Sequence, residues 1–289
     1  MLRTWQRERE MRRTAGWPSL SGEHFTLRYQ PGTDPRMAQL VLQTAESYYQ
    51  PVKDYLGGAA PETIPLVVYR NRESLGAGFG WGAEESAMGV YWAGVIRILS
   101  PSDWIAARRP EEVAAVFRRE GPIVHELAHL WVDYRAAGNY PRWLTEGLAQ
   151  QVERAVTGYV FPPAAAEAEG KWFPLADLDR DFDNLGDQAL AYRQSLLLLD
   201  YLCQEYGAAA PEALLEALGR GRTLNQAVRD VTGKTVAALE AGFRTWAAYA
   251  AVHREVAAAR DEGSGRYRIG RQNPKEAVED VITRPTGTL

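Results

Sequence analysis

The segment His125-Glu126-Leu127-Ala128-His129, with sixteen residues between His129 and Glu146, constrains this chain more than any other feature. At roughly 100° per residue, a helix sets His125 and His129 about 40° apart, so both imidazoles reach one point in space. Glu126 stands about 100° round from His125, too far to be the easiest third ligand but close enough to hold a water bound to a metal. A third ligand falls to Glu146 in PRWLTEGLAQ, where Pro141 suits an early helical position and Trp143, Leu144, Leu148, Ala149 and Val152 recur at helical spacing. Two histidines and one carboxylate leave a fourth position open to water, the pattern of catalytic rather than structural zinc. The competing reading, a buried amphipathic helix GPIVHELAHLWV with hydrogen-bonded core histidines, does not account for Glu146.

The surrounding residues also resemble a family. HELAHLWVDY, PRWLTEGLAQQVE, AYRQSLLLLDYL and LNQAVRDVTGKTVAALEAGFRTW are similar to the peptidase MA-like metallohydrolases, bacterial relatives of the gluzincin zinc metallopeptidases. The resemblance runs from about residue 21 to about 250, and HExxH with WLTEGLA is its specific part. It implies an α+β zincin (thermolysin-like) fold: a small mixed sheet and the active-site helix in an upper lobe, and a mostly helical lower lobe. It also implies one zinc ion held by His125, His129 and Glu146, with Glu126 as the base. Thermolysin-like enzymes place an Asp four residues after the ligand Glu to orient a ligand His; Gln150 stands there in this chain, and Asp133, one turn after His129, is a possible substitute. Aminopeptidase N-like relatives carry GAMEN to grip the substrate amine, whereas this chain has SAMGV at 86–90, without the glutamate.

A chain of 289 residues with 46% hydrophobic content can fill a sizeable core. A formal charge of −4 gives no basic field, so nucleic acid is not an expected partner, and the arginines of MLRTWQREREMRR alternate with glutamates as in a solvated helix or frayed arm. Cys203 is the single cysteine and sits in an apolar helical pattern, where an inert buried thiol is expected. No apolar run approaches eighteen residues and no signal-peptide pattern opens the chain, which reads as soluble and cytoplasmic by default, or extracytoplasmic if an anchor precedes it. Oligomeric state is not legible.

Along the chain, residues 1–20 read as an amino-terminal arm, 21–260 as the catalytic domain with its lobes at about 21–136 and 137–260, and 261–289 as a disordered tail. HFTLRYQ and TIPLVVYRN read as strands flanking a helix that stops at Gly57-Gly58, and GVYW with VIRILSP as a hairpin about Ala93-Gly94. Gly121-Pro122 should break a helix over 110–120 from the HExxH helix. Helical spacing marks 143–157, 188–206, 211–219, 223–230 and 235–257. LGAGFGWGAE at 75–84 lacks the helix that a dinucleotide loop requires and reads as a mobile lip beside the cleft or, equally, an ordinary surface loop. DLDRDFDN at 177–184 lacks the Gly and Glu of a calcium loop and reads as solvated. His24 and His253 have no ligand spacing and are expected to be structural.

The expected chemistry is hydrolysis of peptides or proteins by a metal-activated water, with Glu126 moving the proton. An oxyanion donor is also required. Tyr192 is the candidate, because the resembling family has a similar AYxxS pattern, with Tyr140 and Arg142 as alternatives. Either GVYW or VIRIL offers an edge for an extended substrate. A non-catalytic binding domain of the same fold, or a hydrolase of some other amide, are the alternative functions.

Overall fold

A computed structural model of the chain describes residues 2–58, 61, 63–79, 87–107 and 109–262, except the side chains of 2–6, 168 and 250–262. Two compact units divide it, Met1–Arg244 and Thr245–Leu289, and the described part of the second continues the last helix.

The first unit opens with α1 (Leu2–Arg13), β1 (Ser19–Ser21), β2 (Phe25–Tyr29), α2 (Pro35–Leu56), β3 (Ile64–Tyr69) and α3 (Arg72–Ala77). The hairpin β4 (Gly89–Trp92) and β5 (Val95–Leu99), a short α4 (Pro101–Trp104) and α5 (Pro110–Glu120) follow. One sheet results, in the order β1-β2-β3-β5-β4. Its three central strands run parallel and β1 and β4 pair antiparallel at the two edges. Residues 64–69 are buried throughout, as an apolar run covered on both faces should be. α2 starts at an Asp34 cap whose side chain accepts from the Arg36 amide, and stops at Gly57 with φ 65°. The hairpin turn falls on Ala93 and Gly94, both with positive φ, as the two-residue turn that matches strand twist requires.

The HExxH segment forms α6 (Ile123–Arg135), separated from α5 by Gly121-Pro122 as expected. Beyond it lie α7 (Arg142–Thr157), two four-residue helices α8 (Ala165–Ala168) and α9 (Asp177–Arg180), α10 (Gln188–Tyr206), α11 (Ala210–Gly219), α12 (Leu224–Thr232) and α13 (Val236–Glu262). The architecture is thus mixed α and β, a small mixed sheet with many helices. α6 is wedged between sheet and helices: Tyr49 of α2 meets Trp131 edge-on at 5.3 Å, and a Cβ on Gly89 of β4 would lie 2.6 Å from Pro122 Cβ. α7 packs against α10 just as closely, since a Cβ on Gly147 would lie 2.5 Å from the Ser195 carbonyl. Only glycine fits there.

Several readings from sequence change. α1 is a helix, but Glu10 is buried: Tyr69 Oη donates to its Oε1 at 2.6 Å, Arg13 Nη2 lies 2.8 Å away, and Arg97 Nη2 lies 3.3 Å from Oε2. Charge alternation within α1 cannot reveal a partner 87 residues away. Ser19–Ser21, within the turn-rich stretch, pairs as an edge strand. The lip at 75–84 begins as the end of α3, and 80–86 lie outside the described residues. The tail at 261–289 begins inside α13, which runs to Glu262, and the remainder also lies outside them. No helix among the described residues is long and apolar enough to cross a membrane.

Burial opposes charge on Glu10, yet Arg97, Arg13 and the Tyr69 hydroxyl hold its pKa below the ordinary 4.5. A lowered carboxylate pKa contributes stability that is complete above the unfolded value and is lost as pH falls through the folded one. Glu10→Gln should therefore cost about 2 kcal/mol at pH ~7, less than a fully enclosed pair because Arg13 is 43% exposed. Denaturant melts of parent and variant should converge as pH falls below 4.5; a gap that stays constant would show that the charge on Glu10 contributes nothing.

Candidate metal centre

α6 and α7 together bring His125, His129 and Glu146 to one place, with one potential ligand atom from each lying within 4.8 Å of the others. The four-residue spacing on α6 brings the two imidazoles edge to face, their ring centroids 4.7 Å apart. Both Nε2 atoms face the same carboxylate: His125 Nε2 is 3.2 Å from Glu146 Oε2, and His129 Nε2 is 3.6 Å from Oε1. Their Nδ1 atoms are held from behind. His125 Nδ1 lies 3.5 Å from Glu153 Oε2, and His129 Nδ1 lies 2.6 Å from Thr145 Oγ1. A proton on each Nδ1 leaves both Nε2 lone pairs aimed at the centre, which is how neutral histidines present themselves to a metal.

The donor set fits a divalent cation on a further count. Glu146 is 1% exposed, and its Oε1 accepts no hydrogen bond although Arg142 Nε stands 3.0 Å away. An enclosed oxygen of that kind, with no hydrogen bond to fill its lone pairs, can take a cation beside the guanidinium. Two imidazoles and a carboxylate are the borderline-soft set that suits zinc.

Charge follows from this packing. Burial alone would raise the Glu146 carboxyl, but Arg142, His129 and His125 hold it well below the usual carboxylate range. His125 is opposed by burial and nevertheless raised well above an ordinary imidazole by Glu146 and Glu153. Glu126, the neighbour of His125, goes the other way. Burial raises its carboxyl against the pull of His129 and His125. Its Oε2 accepts the Tyr91 amide of β4 at 2.5 Å.

Tyr192, from α10, lies beside the centre, its ring centroid 6.5 Å from that of His125. The negative charge of Glu146 comes first, ahead of burial, in raising its pKa. Phe161 stacks on the ring at 5.7 Å and Phe182 meets it edge-on at 5.2 Å. Tyr140 turns toward Asp133, with its hydroxyl at 3.5 Å. Asp133 accepts from the Tyr91 hydroxyl at 2.6 Å. Gln150, in the place of the expected Asp, donates to the Glu146 and Tyr192 carbonyls and so ties α7 to α10.

Glu153 and Thr145 were not singled out by sequence. Glu153 had a signal, seven residues past Glu146 and therefore on the same face of α7. The acidic run at 177–184 is not simply solvated: Asp179 caps α7 by accepting the Arg142 amide at 3.1 Å, and Phe182 is buried. His24 is structural as expected, stacked on Tyr49 at 3.6 Å with Nδ1 on Glu46 at 2.8 Å. The His253 side chain lies outside the described residues. Cys203 is half-buried and burial raises its thiol.

Residues 108–249, a segment that contains α6 and α7, match the family model of the Peptidase MA superfamily. No curated protein matches the chain. Among solved structures, it is similar to an M1 zinc metallopeptidase from Deinococcus radiodurans, at 18% identity and TM-score 0.37. A glutamate-to-alanine mutant of that enzyme matches at 18% and 0.38, and the same mutant bound to a Tyr-Ser-Ala substrate at 18% and 0.37. Each alignment covers 80% of this chain and 50% of the other, so the chain spans half the length of the structures it matches.

The purified protein should carry about one zinc per chain, because the three ligands define one site. Metal analysis should give none for Glu146→Ala and near one for His24→Ala. Glu153→Gln should keep the fold and weaken zinc binding by roughly 10–100-fold, the usual loss when the carboxylate behind a ligand histidine is removed. Loss of metal in His24→Ala would point to a different ligand set.

Proposed function

We propose that the chain is a zinc-dependent metallopeptidase of gluzincin type, hydrolysing peptide bonds in peptide or protein substrates. The observation that carries this is the convergence of His125, His129 and Glu146 within 4.8 Å, with the carboxyl of Glu126 on the next residue of α6. Two-lobed zincin organisation follows from the same reading, with residues 21–136 contributing the sheet and α6, and 137–260 contributing the helices that carry Glu146 and Tyr192.

Zinc at this centre would lower the pKa of a water toward about 7 and polarise a carbonyl. Glu126 is placed to accept the proton of the attacking water and to return it to the leaving amine. Its burial raises the carboxyl toward a value useful for both halves of that task. The Tyr192 hydroxyl is the candidate donor to the developing oxyanion, since its ring lies beside His125 and the charge of Glu146 keeps it protonated. β4 is the edge strand at this centre, whereas β5 is paired on both sides, so GVYW rather than VIRIL is available to an extended substrate.

Glu126→Gln should retain zinc and lose at least about a hundredfold in turnover on a denatured protein substrate, because the amide keeps the shape but cannot take the proton. Undiminished hydrolysis by zinc-loaded Glu126→Gln would sink the mechanism. Tyr192→Phe keeps the ring and its stacking, so zinc content and fold should not change. Turnover should drop by roughly a hundredfold, the scale of losing one oxyanion donor. Normal turnover in this variant would make Tyr192 a packing residue.

A further inference from the structure

We propose that Arg142 anchors a substrate carboxylate, so that the centre favours peptides whose chain ends one residue beyond the scissile bond; this rests on the peptidase reading above. Arg142 opens α7 one turn before Glu146, which lays its guanidinium alongside the ligand carboxylate, with Nε 3.0 Å from Oε1. The far edge of the fork does something different. Nη2 lies 3.5 Å from Asp183 Oδ1, and the group as a whole passes 5.5 Å from the centre of the Phe182 ring. Nε is enclosed and donates no hydrogen bond. One edge of a planar five-donor group therefore faces the Glu146 carboxylate, and the side chain as a whole is 40% exposed.

Charge balance decides what the exposed part of the group seeks. Glu146 stabilises the guanidinium as long as its negative charge is its own. A divalent cation bound to Glu146 would draw that carboxylate's charge to itself, and the guanidinium, losing part of its partner, can take a further anion. Asp183 is a weak claimant, being 80% exposed at 3.5 Å, and exposed pairs of that kind contribute little. A peptide carboxylate matches the fork in two parallel hydrogen bonds. One residue of extended chain spans about 3.4 Å, so the terminal carboxylate next to the leaving nitrogen is the one within reach.

The test compares N-blocked dipeptides and tripeptides as free acids and as C-terminal amides, with zinc content measured for each variant. Zinc-loaded parent should cleave acids at least tenfold better in kcat/KM than the matching amides. In Arg142→Gln that ratio should fall to near one, chiefly through KM for the acids, and Arg142→Lys should be intermediate; if Arg142→Gln loses zinc, Arg142→Lys carries the comparison. Calorimetry on zinc-loaded Glu126→Gln should likewise show tighter binding of an acid than of its amide, and the difference should vanish when Arg142→Gln is added. Equal cleavage of acid and amide by the parent, or a ratio that survives Arg142→Gln, overturns the anchor. So does an equal loss on both substrate classes with zinc retained, which would assign Arg142 to the transition state. Failure of the parent to cleave acids, amides and denatured protein alike counts against the peptidase reading instead, and the calorimetric difference then decides the anchor alone.

Discussion

A carboxylate that is 1% exposed and held ionised is costly to bury, and the arrangement around it is what makes it tolerable. Removing such an ion from water costs several kcal/mol unless opposite charge and hydrogen-bond donors surround it. Glu146 has two imidazole Nε2 atoms on one side and a guanidinium on the other. Each of these depends on packing further out. The imidazoles face inward because Glu153 and Thr145 hold their other nitrogens, and Arg142 is fixed because Asp179 caps its amide at the start of α7. Gly147, beside Glu146, lets α10 close against α7.

Helical periodicity makes much of this legible in the sequence. Ligand spacing on α6, the break at Gly121-Pro122, the start of α7 at Pro141 and the long apolar pattern of α10 all follow from local rules, and the structure places each within a few residues of its expected bounds. The hairpin at Ala93-Gly94 belongs to the same class, since its turn is encoded by two adjacent residues.

Long-range pairing was another matter. Nothing local in α1 marks Glu10 among its charged neighbours, because its partners Tyr69 and Arg97 arrive from two separate strands. β1 is three residues long with serine at both ends, too short for alternation to register. Asp133 stands one turn past His129, and the hydroxyl of Tyr91 reaches it from a strand whose approach the sequence does not encode locally. Gln150 shows the converse: it forfeits the carboxylate expected at its position and instead bridges two helical carbonyls, and the role passes to Glu153 two helical turns after Glu146.

The edges of the sheet carry a consequence of their own. An exposed strand edge is an invitation to any other extended chain, including a second molecule of the same protein, and long flat edges are where soluble proteins begin to aggregate. Here one edge is three residues long and the other four. On the longer one, the outward amide of Tyr91 is already taken by Glu126, and its side chain is tied down by Asp133. A visiting strand must compete with a carboxylate for that donor, and it finds barely 14 Å of backbone to pair with at about 3.4 Å per residue. Such an edge is long enough to hold a few residues in passing and too short to template a growing sheet.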